Sequence, residues 1–194
     1  MKINAIVQLC KAAKRILLFY DADRDVQWIS DGSAYYPLYN VPLLEEDSVF
    51  VLFDIPNKKR EKVNLEYKDE LPGGADFSDR IADELPVETA AMSVCAHGRV
   101  LLPVRTSLGC IYINEKHLKP FSDCEKGIQL YERHTASGAV YIAVKEGLLL
   151  KGVILPYYNI TESFVEELKG LWEQSKIGFE NGEETVEQME LEEL

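Results

Sequence analysis

The spacing of apolar residues predicts one helix and then three strands in the first forty residues. Four apolar side chains recur at the spacing of one helical face over 3–14; they are Ile3, Ile6, Val7 and Cys10. Three short β-prone runs follow, at residues 16–20, 26–30 and 33–38. The Asp31-Gly32 pair between the last two runs is typical of a tight hairpin turn. The pattern therefore predicts a helix followed by a three-stranded meander.

The middle of the chain has a less regular pattern. Residues 43–53, LLEEDSVFVLF, fit a helix with one apolar face, but the final VFVLF fits a buried strand equally well. Alternating residues predict a strand over 63–67. The sequence Leu-Pro-Gly-Gly-Ala at 71–75 is the clearest break in the chain. We expect a loop between two parts of the fold there.

The second half of the chain again alternates strands with helical segments. Strands are predicted at residues 87–96, 99–106 and 110–113. A short helical segment over 114–121 follows, with Asn114 as its N-cap. Three more strands are predicted at residues 128–133, 139–145 and 148–155. Asn159 and Glu162 are spaced as a capping pair and predict the start of a C-terminal helix.

These elements predict an α+β protein with antiparallel β-meanders flanked by helices and with two similar sub-domains. We expect an N-terminal part, 1–70, with a helix and antiparallel strands. A C-terminal part, 71–177, has an antiparallel sheet and a terminal helix, and an acidic flexible tail covers 178–194. The similarity lies in the order of elements at 3–38 and 110–155, because the residues of the two stretches do not align.

The net charge of −12 over 194 residues is unevenly distributed. Seven glutamates and no lysine or arginine occupy 178–194, whereas the first fifteen residues contain four cations and no acid. An acidic chain is not expected to bind nucleic acid over its whole surface, because phosphates attract basic surfaces. The body of the protein can still present a local basic face.

The chain contains no feature of a membrane or secreted protein. No apolar run approaches the roughly 20 residues that span a bilayer, and the first twenty residues do not have the composition of a signal peptide. We therefore expect a cytoplasmic protein without a membrane partner. The cysteines are irregularly spaced, which predicts free thiols; they are Cys10, Cys95, Cys110 and Cys124.

Three aspartates at alternate positions, Asp21, Asp23 and Asp25, follow the first strand. An EF-hand calcium loop needs glycine at its sixth position and glutamate at its twelfth, where this chain has Val26 and Gly32. A haloacid dehalogenase-type phosphotransferase would use Asp21 as nucleophile and Asp23 as general acid, but that family continues into a helix and not into a hairpin. We expect a polar turn whose carboxylates face water, with weak cation binding as the alternative.

Cys95 and His97 form a second candidate pair. On a strand they would share one face, so that the imidazole could lower the pKa of the thiol. A zinc site would add Cys110 or Cys124, although the paired spacing of zinc ligands is missing. The alternative interpretation is a buried thiol followed by a turn at His97-Gly98.

The sequence contains no dinucleotide-binding glycine fingerprint, Walker loop or nucleophile elbow. His117 and His134 lie far apart without an evident acidic partner, and we expect both at the surface. We therefore assign no catalytic residue, no metal and no cofactor, and expect a protein that is not an enzyme. The alternative is a hydrolase or transferase that uses the Cys95/His97 pair or the aspartates.

Two further stretches have the composition of protein interfaces. The aromatic cluster can form either a core or an interface, since both use large rings with polar tips; its members are Trp28, Tyr35, Tyr36 and Tyr39. Apolar residues alternate with acids over 188–194, so the tail could bind a protein partner as a short motif. This would make the chain an acidic adaptor, and a solvated tail is the alternative.

The order strand, short helix and three antiparallel strands occupies Cys110–Pro156 and ends in LLLKGVILP, Leu148–Pro156. This order resembles a half-domain of DNA sliding clamps, and residues 3–38 resemble it more loosely. The chain is shorter than a clamp subunit, and residues 41–105 do not follow the pattern. The resemblance implies helices that line a central hole and donate Lys and Arg to phosphates. It also implies sheets that form the outer wall and the subunit joints.

On this chain the implied DNA contacts are Lys11, Lys14, Arg15, Lys116 and Lys119. The sequence thus predicts a non-enzymatic interaction protein. Its most specific form is a clamp-like homo-oligomer that binds duplex DNA through a local basic face.

Overall fold

The computed structural model describes residues 1–68, 74–125, 127–158 and 160–175. The chain divides after Tyr157 into two compact units, and each is described by itself. The first unit has the α+β fold that the sequence predicts, with helices against a large mixed sheet and a second, smaller sheet.

The first half of the large unit begins with the predicted helix and meander. Helix α1 spans Ile3–Ala13, and its meander consists of β1 (Arg15–Asp21), β2 (Val26–Ser30) and β3 (Ala34–Leu38). Two helices then lead to a fourth strand; they are α2 (Glu46–Leu52) and α3 (Asn57–Arg60), and the strand is β4 (Asn64–Lys68). Residues 43–53 therefore contain a helix and no strand, with Val49 and Phe50 on its buried face.

The second half of the large unit consists mainly of strands. They are β5 (Leu85–Val87), β6 (Val94–Ala96), β7 (Arg99–Thr106), β8 (Gly109–Asn114), β9 (Gln129–His134), β10 (Val140–Glu146) and β11 (Leu149–Ile154). The prediction of one strand over 87–96 is wrong, because β5 and β6 belong to different sheets. The predicted helical segment is a 3₁₀ helix, Glu115–Phe121, and Asn114 is its N-cap, accepting the Lys116 N–H at 3.2 Å.

Eight strands form one sheet in the order β4-β1-β2-β3-β11-β10-β9-β5, and β6-β7-β8 form the second. Neighbouring strands are antiparallel as predicted, except that β4 lies parallel to β1. A parallel neighbour needs a crossover connection, and α2 and α3 lie in the connection from β3 to β4. The sheet takes four strands from each side of residue 70, the boundary predicted from the sequence.

The two halves of the sheet meet at β3 and β11, where the ladder has two residue pairs, one of which joins Tyr35 to Val153. Each half has a helix followed by a three-stranded meander. The helices of the two halves also touch, since the Lys2 N–H donates to the Pro120 carbonyl at 2.8 Å. The contact between α1 and the 3₁₀ helix therefore joins the two halves in addition to the short ladder between β3 and β11.

Both faces of the large sheet are covered. The helices cover one face over a core of aliphatic and aromatic residues, and residues 74–84 cover part of the other. The Phe77 ring lies 4.6 Å from Trp28 and 5.5 Å from Tyr35, measured between ring centroids. Buried Arg133 donates to Glu84 at 2.5 Å, and Lys145 donates to the second oxygen of the same carboxylate. These ion pairs fix residues 74–84 to the sheet.

The turn between β1 and β2 is predicted to expose all three of its carboxylates, but one of them is buried. Asp21 is buried rather than facing water, because it still pairs in the ladder with Val26 and because the Arg24 guanidinium covers it at 2.6 Å. Asp25 accepts the Tyr20 hydroxyl at 2.6 Å, and Asp23 is exposed. The turn is therefore a hydrogen-bonded corner of the sheet.

The second unit contains helix α4, residues 162–175. The Thr161 hydroxyl accepts the Phe164 N–H at 3.3 Å and caps the start of this helix. The predicted cap residue Asn159 lies outside the described residues, as does the predicted tail, 178–194.

Candidate anion-binding surface

The C-terminal end of α1 forms a wall of two cavities. Lys11 and Lys14 face the first cavity, and Ala12 and Ala13 face the second. Successive residues point in different directions around a helix, which explains how one short stretch lines both. We call the first the lysine cavity and the second the junction cavity.

The lysine cavity has a volume of about 300 Å³ and is bounded by α1, the loop after α2, and α3 with the loop that follows it. Its lining residues are Lys11, Lys14, Asp54, Ile55, Pro56, Lys59, Lys62 and Val63. The Lys11 ammonium donates to the Asp54 carbonyl at 3.5 Å. Within the described residues, none of the four lysines forms an ion pair. Like charges around one cavity repel each other, so the arrangement favours an anionic ligand.

Two residues of the lysine cavity have left-handed backbone conformations. Lys14 has φ 54° and Asp54 has φ 47°. The Lys14 N–H closes α1 by donating to the Cys10 and Lys11 carbonyls. L residues other than Asn and Asp rarely adopt this conformation, and backbone strain of this kind is concentrated at functional sites. The strain at Lys14 is therefore a second observation that sets this cavity apart.

The junction cavity has a volume of about 320 Å³ and lies where the large sheet, the small sheet and the two helices converge. Its lining residues are Ala12, Ala13, Asp31, Ser33, Arg99, Asn114, Lys116, His117, Leu155, Pro156 and Tyr157. A third cavity of about 580 Å³ lies between β5, β7 and β9, and its lining contains one acid, Glu88, and no lysine or arginine. Of these three cavities, the two at the end of α1 are the ones lined by lysine or arginine.

A buried hydrogen-bonded pair, Asp31 and His117, belongs to the lining of the junction cavity. Asp31 accepts His117 Nε2 at 3.1 Å and the N–H groups of Ser33 and Ala34 at 2.9 and 3.1 Å. Burial acts to raise the pKa of Asp31, but the hydrogen bond and charge of His117, the Ser33 N–H and Lys116 together lower it to about 2. Asp31 is thus a carboxylate at neutral pH and joins the β2–β3 turn to the 3₁₀ helix.

The prediction of surface histidines without acidic partners is wrong for His117, which is buried against Asp31. His134 is exposed as predicted, but it has an acidic partner, because its Nε2 lies 2.8 Å from Glu132. Asp31 and His117 are 86 positions apart and meet only through the tertiary fold, whereas Glu132 and His134 are alternate residues of β9 and share one face of the strand. The Nδ1 atom of His117 is also buried and has no hydrogen-bond partner.

The five predicted DNA-contact residues occupy different places. Lys11 and Lys14 lie together in the lysine cavity, and Lys116 lines the junction cavity. Arg15 is exposed and pairs with Glu66 at 3.4 Å. Lys119 is exposed on the 3₁₀ helix and lines neither cavity.

The sequence interpretation missed three cations of this surface: Lys59, Lys62 and Arg99. The run KKREK at 58–62 contains four cations in five residues and could have indicated the first two. No local sequence pattern indicates Arg99, because it lines the same cavity as Lys116 only through the packing of the small sheet.

Three of the four clustered aromatic residues are buried: Trp28, Tyr35 and Tyr36. Tyr39 is 46% exposed and donates its hydroxyl to the Leu150 carbonyl at 3.3 Å. Of these four residues, Tyr39 is the one exposed enough to contact a partner, and its role in an interface stays a prediction.

Cys95 and His97, the alternative catalytic pair, do not lie on one strand, where their side chains would share a face. Cys95 is exposed rather than buried, and strand β6 ends at Ala96. His97 has φ 50° in the predicted His97-Gly98 turn, so the alternation of side chains is interrupted between the two residues. The part of the chain that the structure describes contains no group of three or more His, Cys, Asp or Glu side chains that could hold a metal ion.

No family model, curated protein or solved structure matches this chain. Among the described residues, no helix is long and apolar enough to cross a membrane. The geometry of the two cavities is therefore the basis for a functional proposal.

Proposed function

We propose that this protein is a non-enzymatic nucleic-acid-binding protein that holds the phosphate backbone of duplex DNA on the lysine cavity. We also propose that it does so as a clamp-like homo-oligomer in the cytoplasm. The observation that carries the proposal is the convergence of Lys11, Lys14, Lys59 and Lys62 on one cavity.

The charge arrangement supports a backbone contact more than base recognition. Lysine ammonium groups bind phosphates as point charges, whereas base readout uses planar side chains inserted in a groove. Lys14, Lys59 and Lys62 are exposed, so their charges are accessible to a large ligand. The acidic remainder of the chain would repel DNA elsewhere and limit binding to this surface.

Binding to a labelled DNA duplex, measured by fluorescence anisotropy over a series of salt concentrations, tests the proposal. We expect Lys59→Gln with Lys62→Gln to weaken binding at low salt. Each phosphate contact contributes about 0.9 to the slope of log K against log salt, so the slope should fall by about 2.

The matched control is Lys68→Gln with Lys151→Gln, which removes the same charge from two lysines that pair with Glu66 and Glu146. We expect this control to keep most of the affinity and the slope. Equal losses in both variants, or no binding of the wild type at low salt, would contradict the proposal.

A further inference from the structure

We propose that the junction cavity is a separate binding site for a phosphate monoester, held by Arg99 and Lys116. This site does not depend on the lysine cavity, because the two cavities share no lining residue. The ligand is either a free mononucleotide or the terminal phosphate of a nucleic-acid strand.

Arg99 is fixed in a position that suits an anion. One guanidinium nitrogen, Nη1, donates to the Tyr157 hydroxyl at 3.0 Å, and the guanidinium carbon lies 5.2 Å from the centre of the Tyr157 ring. The Tyr157 backbone is fixed in turn, since its N–H donates to the Tyr112 carbonyl at 2.7 Å. A guanidinium held in this way loses little freedom when its remaining N–H groups bind two phosphate oxygens.

Lys116 forms an ion pair with Asp31 but donates no hydrogen bond to it, so its ammonium N–H groups are available to a ligand. Its ammonium lies 3.6 Å from Asp31, a distance that is too long for a hydrogen bond. His117 and two backbone N–H groups already satisfy the Asp31 carboxylate. Among the described residues, Arg99 forms no ion pair. Arg99 and Lys116 therefore line a cavity whose single acid, Asp31, already accepts three hydrogen bonds.

The shape of the cavity favours a terminal phosphate over the backbone of a continuous duplex. Residues of the turn between β2 and β3, of the segment after β11 and of the 3₁₀ helix line the cavity. Its volume of about 320 Å³ suits a small molecule or a chain end. The dianion of a monoester would match the two cations, whereas an internal phosphodiester has one charge.

Isothermal titration of the full chain with inorganic phosphate, AMP and adenosine tests this site. We expect AMP and phosphate to bind and adenosine not to bind. Arg99→Gln and Lys116→Gln should each weaken AMP binding by about tenfold or more, as expected for loss of a charge-assisted hydrogen bond. Arg105→Gln, at the far end of β7, is the matched control and should keep wild-type affinity.

Two oligonucleotides distinguish the sources of the phosphate. If a strand end is the ligand, a 5′-phosphorylated single strand binds more tightly than its 5′-hydroxyl counterpart, and Arg99→Gln removes the difference. If a free nucleotide is the ligand, AMP binds and the two strands bind equally. No saturable binding of phosphate, AMP or the phosphorylated strand at millimolar concentrations would overturn the proposal.

Further measurements distinguish loss of the phosphate site from loss of folding and from phosphate binding at the lysine cavity. Far-UV circular dichroism and urea unfolding show whether Arg99→Gln and Lys116→Gln remain folded, and Arg99→Lys keeps the charge without the planar pair of donors. Lys59→Gln with Lys62→Gln should leave AMP binding unchanged. Loss of AMP binding in that variant but not in Arg99→Gln would assign the phosphate to the lysine cavity and overturn the proposal.

Discussion

At the scale of single residues, the candidate surface depends on groups that local preference does not favour. Lys14 ends a helix in a left-handed conformation in which glycine is the usual residue. Asp31 is a buried carboxylate, which costs free energy unless it is paired and hydrogen-bonded. A sequence that departs from local rules at such positions often does so for function.

The conformation of Lys14 predicts opposite effects on stability and binding. Lys14→Gly relieves the left-handed strain, and we expect a gain of about 0.5 to 1 kcal/mol in the free energy of unfolding. The same change removes one phosphate contact and should lower the salt slope of DNA binding by about 0.9. Urea unfolding and fluorescence anisotropy measure the two effects.

Lys14→Gln is the control for this prediction, because it loses the charge but keeps a side chain at φ 54°. It should bind as weakly as Lys14→Gly without the gain in stability. A Lys14→Gly variant that is less stable than the wild type would show that the strain argument is wrong.

The lowered pKa of Asp31 predicts a pH dependence of stability. Its usual value is 3.8 and its value in the fold is about 2. The carboxylate is therefore stabilising above about pH 4, and this contribution is lost as the pH falls through about 2. Its size is about 2 kcal/mol, from 1.4 kcal/mol for each unit of pKa.

Urea unfolding of the wild type and of Asp31→Asn at several pH values measures this contribution. The free-energy difference between the two proteins should be constant above about pH 5 and shrink by about 2 kcal/mol towards pH 2. A difference that stays constant over the whole range would mean that Asp31 is not the stabilising group.

At the scale of elements, the ladder between β3 and β11 is short, and packing at Gly152 supports it. A Cβ at Gly152 would lie 2.6 Å from the Phe121 ring and 2.9 Å from the Tyr35 carbonyl. The 3₁₀ helix that carries Phe121 can therefore approach the sheet because this position lacks a side chain. The same 3₁₀ helix carries Lys116 and His117 into the junction cavity.

Gly152→Ala should destabilise the large unit by about 1 to 3 kcal/mol, since extra volume in a packed site displaces its neighbours. Phe121→Leu in the same chain should recover part of this loss, and the Tyr35 carbonyl should prevent full recovery. Chemical unfolding measures both variants.

Gly170→Ala in α4 is the matched control for Gly152→Ala, because a Cβ there meets nothing within 4 Å. We expect no loss of stability in the control. Equal stability of Gly152→Ala and the wild type would mean that β11 and the 3₁₀ helix are packed less closely than described.

At the scale of the whole molecule, the outer strands of the large sheet and the distribution of charge decide which surfaces could join copies of the chain. The cations of the two cavities surround the end of α1, although the chain has a net charge of −12. The large sheet ends in β4 and β5, and an outer strand can offer unpaired backbone groups to a second copy. The proposed homo-oligomer would use these edges and keep the basic surface for DNA.

Size-exclusion chromatography with light scattering measures this assembly. We expect a mass that is a multiple of 22.0 kDa and that persists in high salt, because backbone pairing and apolar contacts are weakly screened. A monomer at high protein concentration, together with no DNA binding at low salt, would refute the clamp-like proposal.

The sequence by itself determined the fold class and most of the elements, although it joined β5 and β6 in one strand and left α2 open between helix and strand. Helical spacing placed α1, and short β-prone runs placed the two meanders, because local apolar periodicity is a direct consequence of which face is buried. The same reasoning located the Asp31-Gly32 turn and the Asn114 cap. The resemblance to sliding clamps, and not apolar periodicity, is what indicated Lys11, Lys14 and Lys116 as candidate phosphate contacts.

Only the tertiary structure decided which distant residues meet. Nothing local shows that β4 lies parallel to β1, that Asp31 pairs with His117, or that Lys59 joins Lys14. These contacts depend on the crossover through α2 and α3 and on the junction of β3 with β11. They are long-range, so their free energy is gained only when the whole sheet has formed, and no local pattern encodes them.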